Sequence, residues 1–390
     1  MSSTWFFNSP TPGRTRESQV EKFFKAEGER ADPIVREGIQ NSLDAGNNNS
    51  VVRIRLTLGR WTPSVTAKKW PRYSDTLNPH LGAVADEIAQ PSLDEDFRFL
   101  VFEDFEDFET SGLEGPPEQW LVDKHKKNAF FDFFRAEGVS HKAGGDRGRH
   151  GVGKFVFLGA SRIRTIFGLT RRNDQRELLM GTTVLRHHTL RSKPYLPDGW
   201  FGLPEDNGNV LPLEDEGDAI ARFKKDFQLT RDGECGLSIV VPWLVEDINA
   251  EKLIRSVVEG YFLPLICNQL VVEVVDEGGQ GERIDYLTIR DVVAAQGDEY
   301  ALSMQVRLDL AASFARSKTP LLLAMPPGGH TAPQWGEGCI PTEVLCTIRA
   351  KLSAGDWIHL ECPTRVRRKN ERVANPDQFQ LYFQRPAGQT

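Results

Sequence analysis

Residues 32–46 carry polar and apolar positions in a single helical pattern. Asp32 suits an N-cap, Pro33 the first helical position and Gly46 the position just past the end. Ile34, Val35, Ile39 and Leu43 anchor this helix, while Glu37, Asn41 and Asp44, spaced i, i+4, i+7, project from one other face. Residues 99–115 predict a buried strand that ends in acids and runs into a turn of small residues. Residues 144–159 predict a glycine-rich loop opening into an apolar helix.

Around these three segments the pattern predicts a half-exposed strand at 51–58 and strands at 163–169, 177–185, 236–242 and 270–275. Helices are expected at 18–27, 117–137 and 250–265. In the second of these, Trp120, Leu121, Phe130, Phe131, Phe133 and Phe134 are the apolar positions, and the phenylalanines read as core. Residues 62–96 carry several prolines and no period, and read as an insertion with one short helix near 83–89. Residues 192–232, rich in Pro, Gly and acids, read mostly as loop, and residues 1–14 as an arm. From about residue 279 shorter mixed elements at 284–293, 302–310, 320–325, 342–348 and 378–383 predict a second α/β domain.

A chain of 390 residues has room for two domains, and 39% hydrophobic with 26% charged residues is ordinary for a soluble globular protein. A net charge of −7 argues against whole-molecule attraction to nucleic acid or acidic membranes. Only local basic groups, Arg162, Arg164, Arg171, Arg172 and residues 365–369, could grip phosphates, and they read equally as solvated faces. No apolar stretch has the length of a membrane span, and the first residues lack a secretory pattern. Five cysteines without a Cys-x-x-Cys pair predict neither a disulfide framework nor a zinc site, so a reducing cytoplasm is expected.

The chemistry lies in the first and third segments. Glu37, Asn41 and Asp44 present a base, an amide oxygen and a carboxylate on one rigid element, a set suited to metal-assisted attack of water on a phosphate. The plainer reading is a solvated polar face. Glycines in the loop let backbone N–H groups approach an anion, and the following helix N-terminus adds a favourable dipole. Residues 148–154 also fit Gly-x-x-x-x-Gly-Lys, the start of a P-loop. Phe155 stands where magnesium needs Ser or Thr, and the polar stretch 141–147 stands where a strand belongs.

Taken in order, the three segments resemble the GHKL ATPase superfamily, which includes DNA gyrase B subunits, MutL repair proteins, ninety-kilodalton heat-shock chaperones, MORC proteins and sensor histidine kinases. Glu37, Asn41, Asp44 and Ala45 match its Glu-x-x-x-Asn-x-x-Asp-Ala box. Gly148, Gly151, Val152 and Gly153 match its second glycine box. The first glycine box is eroded: after Asp107 only Gly112 remains, and Asp104 is a second candidate for the aspartate. Relatives carry Thr after the glycine of a strand like 236–241; here Leu237 stands there, and alternation turns Ser238 to the opposite face.

The resemblance implies an α+β fold: a two-layer α/β sandwich of the Bergerat ATP-binding type over 15–278, with a lid at about 113–153 and a smaller transducer-like α/β domain over 279–390. It implies ATP and Mg²⁺ as ligands. Glu37 would be the general base, Asn41 the Mg²⁺ ligand and Asp107 the reader of the adenine amino group. Asp44, Ala45 and Gly112 would shape the base pocket. Gly148, Gly151, Val152 and Gly153 would wrap the phosphates, with Lys154 adding charge. Lys318 or the run 365–369 would reach the γ-phosphate. The implied activity is slow ATP hydrolysis driving a lid movement and a homodimer formed on ATP binding, closer to the gyrase, MutL, MORC and chaperone branch than to the kinases. A kinase needs a phosphoacceptor helix pair ahead of the box, where only some thirty residues stand. Nucleic acid or a partner protein would be the client, with DNA maintenance or anti-phage defence as analogies at the level of fold. Two alternatives stay open: a non-hydrolysing nucleotide-gated scaffold and a nucleic-acid clamp.

Overall fold

The computed structural model of the chain describes residues 3–10, 30–45, 50–88, 90–106, 112–121, 123, 127–136, 153–214, 218–316, 319–327, 335–366 and 375–385. Two compact units divide it: Met1–Tyr261 with Asn268–Val292, and Phe262–Cys267 with Val293–Thr390. The first begins with Thr4–Phe7 (β1), the helix Ala31–Ala45 (α1) and the strand Val52–Trp61 (β2). Three short helices follow, Pro63–Lys69 (α2), Pro71–Ser74 (α3) and Asn78–Gly82 (α4), then Phe97–Glu106 (β3), Ala129–Phe134 (α5) and Gly153–Ala160 (α6). Next come Thr165–Arg171 (β4), Glu177–Val184 (β5), His188–Leu190 (β6), Lys193–Tyr195 (β7), Asp198–Pro204 (β8), Val210–Leu211 (β9) and Ala219–Asp226 (α7). Gly236–Pro242 (β10), Ala250–Ile266 (α8), Leu270–Val275 (β11), Gly281–Ile284 (β12) and Ile289–Ala295 (α9) complete the series, with the last residues of α8 and α9 assigned to the second unit.

One mixed sheet organises this unit, in the order β1-β8-β5-β4-β10-β3-β2-β11-β12 with β9 beside β8. Among the described strands of this sheet only β2 and β11 pair in parallel. The α+β expectation holds at this level. Strand β3 is apolar on both faces and packs against helix side chains on each. Phe97, Phe99 and Val101 join Phe167 of β4 and Val240 of β10 in a core capped by Trp70, Tyr73, Leu77 and Leu81 and by Phe223 and Phe227. On the other face Phe102 meets the Phe157 ring of α6 at 5.6 Å, and an added Cβ on Gly38 of α1 would lie 2.6 Å from the Phe102 ring. Alternation along the strand is what sends the two sets of rings to opposite helices.

Several boundaries differ from the pattern-based expectation. In 62–96 the prolines start helices instead of forbidding them: Pro63 and Pro71 open α2 and α3, and Pro79 stands at the start of α4. Residues 83–88 are turns, not the expected helix. Among the described residues of the expected helix 117–137 only α5 forms, capped by the Asn128 side chain, which accepts from Phe131 N at 2.9 Å. Three of its phenylalanines, Phe130, Phe131 and Phe134, are buried as core. The supposed loop 192–232 holds β7, β8, β9 and α7. The supposed arm supplies β1, which pairs antiparallel with β8 of its own chain and buries Trp5 and Phe7. The expected helix 18–27 lies outside the described residues.

The second unit holds Asp298–Arg316 (α10), Leu321–Leu322 (β13), Thr342–Ala354 (α11), Ile358–Val366 (β14) and Asn375–Phe383 (β15). Its sheet runs β13-β14-β15, parallel and then antiparallel, over a core of Leu323, Ile348, Ile358, Leu360 and Cys362. Among the described residues no helix is long and apolar enough to cross a membrane.

Candidate functional site

Helix α1 forms as its pattern requires: Ile34, Val35 and Ile39 are buried, Glu37 and Asp44 half-buried and Asn41 exposed. Asp32 is not the cap, since the helix begins at Ala31; its carboxylate instead accepts a hydrogen bond from Ser256 of α8. Ala45 ends the helix and is exposed. Glu37 has Arg36 Nε at 3.6 Å from Oε1. Beside them Tyr261 breaks the helical dihedrals of α8 (φ −133°, ψ 20°) and donates from its hydroxyl to Arg36 O at 2.5 Å. Burial, then the carboxylates of Glu37 and Asp44, push the Tyr261 phenol well above its ordinary value.

Asp104 comes from the end of β3, on the face turned to α1. Its Oδ2 accepts from Ser42 Oγ at 3.1 Å and its Oδ1 from Leu237 N at 2.6 Å. Burial raises the Asp104 carboxyl above the usual range, against the lowering pull of Arg231, Leu237 N–H and Ser42. Gly236 makes the approach of β10 feasible: its φ is +134°, and an added Cβ would lie 2.6 Å from both Asp104 O and Oδ1. Opposite Leu237 in the register stands Thr170 of β4, whose Oγ1 donates to Gly236 O at 3.1 Å and accepts from Leu113 N at 2.8 Å. Gly112, at φ +60°, is pressed against Thr170 and Arg171 O. Ser238 turns to the other face, where it bonds Glu103 and Arg231.

The glycine-rich segment re-enters the described structure at Gly153, the first residue of α6. Helices α1 and α6 pack together here. The backbone of Gly153 stands so close to Asn41 that an added Cβ would lie 2.8 Å from Asn41 Nδ2. Lys154 turns inward: it is buried, and its Nζ donates to Ala136 O at 2.9 Å. Its ammonium therefore ties the start of α6 to the end of the α5 segment.

The structure thus brings together Glu37, Asn41 and Asp44 on α1, Asp104 beside Ser42, and Gly153 against Asn41; Gly112 borders Asp104 through Thr170 and Gly236. Asp107, Gly148, Gly151 and Val152 lie outside the described residues, as do Lys318 and residues 367–369. Arg365 is exposed on β14 of the second unit. Among the described residues no cluster of three or more His, Cys, Asp or Glu could hold a metal ion. Three of the arginines weighed as phosphate contacts are engaged within their own unit. Arg162 pairs with Glu95, Arg171 with Glu177, and Arg172 with Glu114 and Asp174.

Sequence pattern did not single out Ser42, Thr170, Arg231 or Tyr261. Ser42 carried a usable signal, a hydroxyl on the buried side of an otherwise apolar helix face. Thr170 and Arg231 acquire their positions from strand register and chain reversal, which have no local mark. No family model matches the chain, and no curated protein matches it either.

Proposed function

We propose that the first unit binds ATP with Mg²⁺ and hydrolyses it slowly, as a conformational switch of the GHKL kind. The observation that carries this is the close approach of Gly153 to Asn41. Two segments more than a hundred residues apart in sequence, each read independently as phosphate chemistry, converge on one helix face. Asp104, bonded to the residue that follows Asn41, adds the carboxylate that base recognition needs.

In this reading Glu37 takes the proton of the attacking water at its carboxylate. Asn41 offers its amide oxygen as a neutral ligand to Mg²⁺, which when bound neutralises phosphate charge. The N–H groups at the start of α6 donate to phosphate oxygens, where the helix dipole favours negative charge. Asp104 is the preferred acceptor for the exocyclic amino group of adenine, with Gly112 and Asp44 at the rim. Lys154 holds the frame of the site and is not assigned to phosphate. The internal pairing of Arg162, Arg171 and Arg172 weighs against the nucleic-acid clamp. The output proposed is ATP-dependent pairing of two copies, read by light scattering with and without nucleotide.

The test is Mg²⁺-dependent ATP binding by calorimetry and phosphate release, for the native chain and Glu37→Ala. Release by the native chain, with binding but no turnover in Glu37→Ala, supports the assignment. Absence of binding in both sinks it. Binding in both without turnover in either leaves the non-hydrolysing scaffold.

A further inference from the structure

Behind Asp104 lies a pair of charges that the fold has no obvious stability reason to bury. Arg231, with a fully buried side chain, stands just before β10. Its Nη2 donates to Asp104 O at 2.6 Å, its Nη1 to Cys235 O at 2.7 Å and Glu234 O at 3.1 Å, and its Nε to Ser238 Oγ at 3.1 Å. The same Nη2 lies 3.6 Å from Asp104 Oδ1, and the guanidinium lies 4.8 Å from the centre of the Phe105 ring. Glu103, the neighbour of Asp104 and also fully buried, points to the opposite face. It accepts from Thr230 N at 3.0 Å, Thr230 Oγ1 at 2.8 Å, Arg231 N at 3.3 Å and Ser238 Oγ at 3.1 Å.

Buried ion networks cost desolvation, and apolar residues of similar volume often serve stability as well or better. This one is placed where it fixes geometry. Arg231 draws the carbonyls of Asp104, Glu234 and Cys235 onto one rigid planar fork. That sets the spacing between the end of β3 and the start of β10, and so the bond from Leu237 N–H to Asp104. The charged groups around the Asp104 carboxylate are then Arg231 from the segment before β10 and Glu103 from its own strand; α1 contributes the Ser42 hydroxyl and β10 the Leu237 amide.

We infer that Arg231 is a positioning residue for Asp104: it holds that carboxylate aimed, and thereby sets which nucleobase the site accepts. The inference rests on the nucleotide reading above. Arg231 approaches Oδ1, and the Asp104 side chain keeps 22% of its surface exposed. Glu103 holds the Arg231 backbone N–H and shares the Ser238 hydroxyl with the guanidinium, so the two residues act as one unit.

The experiment uses the full chain as native protein, Arg231→Lys, Arg231→Met and the double variant Glu103→Gln/Arg231→Met, which removes both buried charges and keeps the fold measurable should the single variant fail to fold. Two readouts are taken. The first needs no nucleotide: the titration midpoint of the Asp104 carboxyl by carbon NMR, assigned through Asp104→Asn. The second is the preference for ATP over GTP in binding, with kcat and KM resolved separately. In the double variant the midpoint is expected to rise by about one pH unit or more. The base preference is expected to fall about tenfold while kcat at saturating ATP changes less than about threefold. Arg231→Lys keeps the charge without the fork, and is expected to recover the midpoint but not the preference. An unmoved midpoint in the folded double variant overturns the role of Arg231, and so does an unchanged base preference. If the native chain binds neither nucleotide, the functional reading fails instead, and the midpoint still decides whether Arg231 governs Asp104.

Discussion

Acidification tests a histidine pair that the functional reading does not use. His80 and His188 are both buried, with His80 Nδ1 and His188 Nε2 2.7 Å apart. His188 Nδ1 lies 2.8 Å from Arg186 O, so that nitrogen carries the proton and Nε2 is an acceptor; His80 Nδ1–H is then the donor. Phe7 of β1 stacks on His80 with ring centroids 4.1 Å apart, and Tyr195 closes the other side at 4.9 Å. Burial, and next the neighbouring His188, push His80 down to about 4 from an ordinary 6.5. His188 is lowered as well, chiefly by burial. Because the folded value lies below the unfolded one, the unfolded chain binds the extra proton between these limits. Stability is fully present above about pH 6.5 and falls as the pH drops towards 4, by at most about 3 kcal/mol for His80 alone. The assay is urea unfolding of the native chain and of His80→Leu at several pH values from 7.5 to about 4, where the carboxylate background is common to both. The native chain is expected to lose about 3 kcal/mol more than the variant over this window, or roughly 6–12 °C in Tm. Parallel pH profiles would refute the neutral, buried pair.

Glu37→Ala is expected to reduce phosphate release by about a hundredfold or more while nucleotide affinity stays within a few fold, by calorimetry and a phosphate assay. Gly153→Ala places a methyl group against the Asn41 amide and is expected to displace that side chain, lowering Mg²⁺-dependent turnover with a Tm close to native. Phe227→Ala removes a fully buried ring that meets Trp61, Tyr73 and Phe99 at 4.9, 5.3 and 5.4 Å, and is expected to cost about 3–5 kcal/mol in urea unfolding. Gly236→Ala combines a positive φ with a backbone collision at Asp104 and is expected to be still less tolerated, read as loss of soluble protein or of base preference.

The legible parts were those whose cause is local. Helix α1 could be read because Pro33, the apolar spacing of Ile34, Val35 and Ile39, and the polar set Glu37, Asn41 and Asp44 all lie within one stretch. β10 and α8 were legible for the same reason. What escaped was written in distant residues. Asp198–Pro204 has two glycines and a proline, as a loop does, and becomes a strand because β5 lies on one side and β1 on the other. Prolines at 63 and 71 read as breakers until their place at helix starts is known. Lys154 sits among glycines that pointed to phosphate, yet its ammonium is claimed by Ala136 O, an acceptor that comes near only in the fold. The bond from Ser42 to Asp104 is a contact between helix and strand that no local spacing reveals.

The pairing of β1 with β8 has a kinetic side. Thr4 finds its partner at Gly202, and Val52 finds one at Leu270. The edge strand β1 and the inner strand β2 of the central sheet therefore wait for chain that leaves the ribosome much later. Closing loops of this size is slow, and the folding rate should be governed by these non-local pairings more than by helix formation. Until Thr4–Phe7 docks, β8 presents an open row of backbone donors and acceptors next to buried aromatic side chains. A bulky fusion ahead of Thr4, or its removal, would prolong that exposed state and turn a folding intermediate into an aggregation seed.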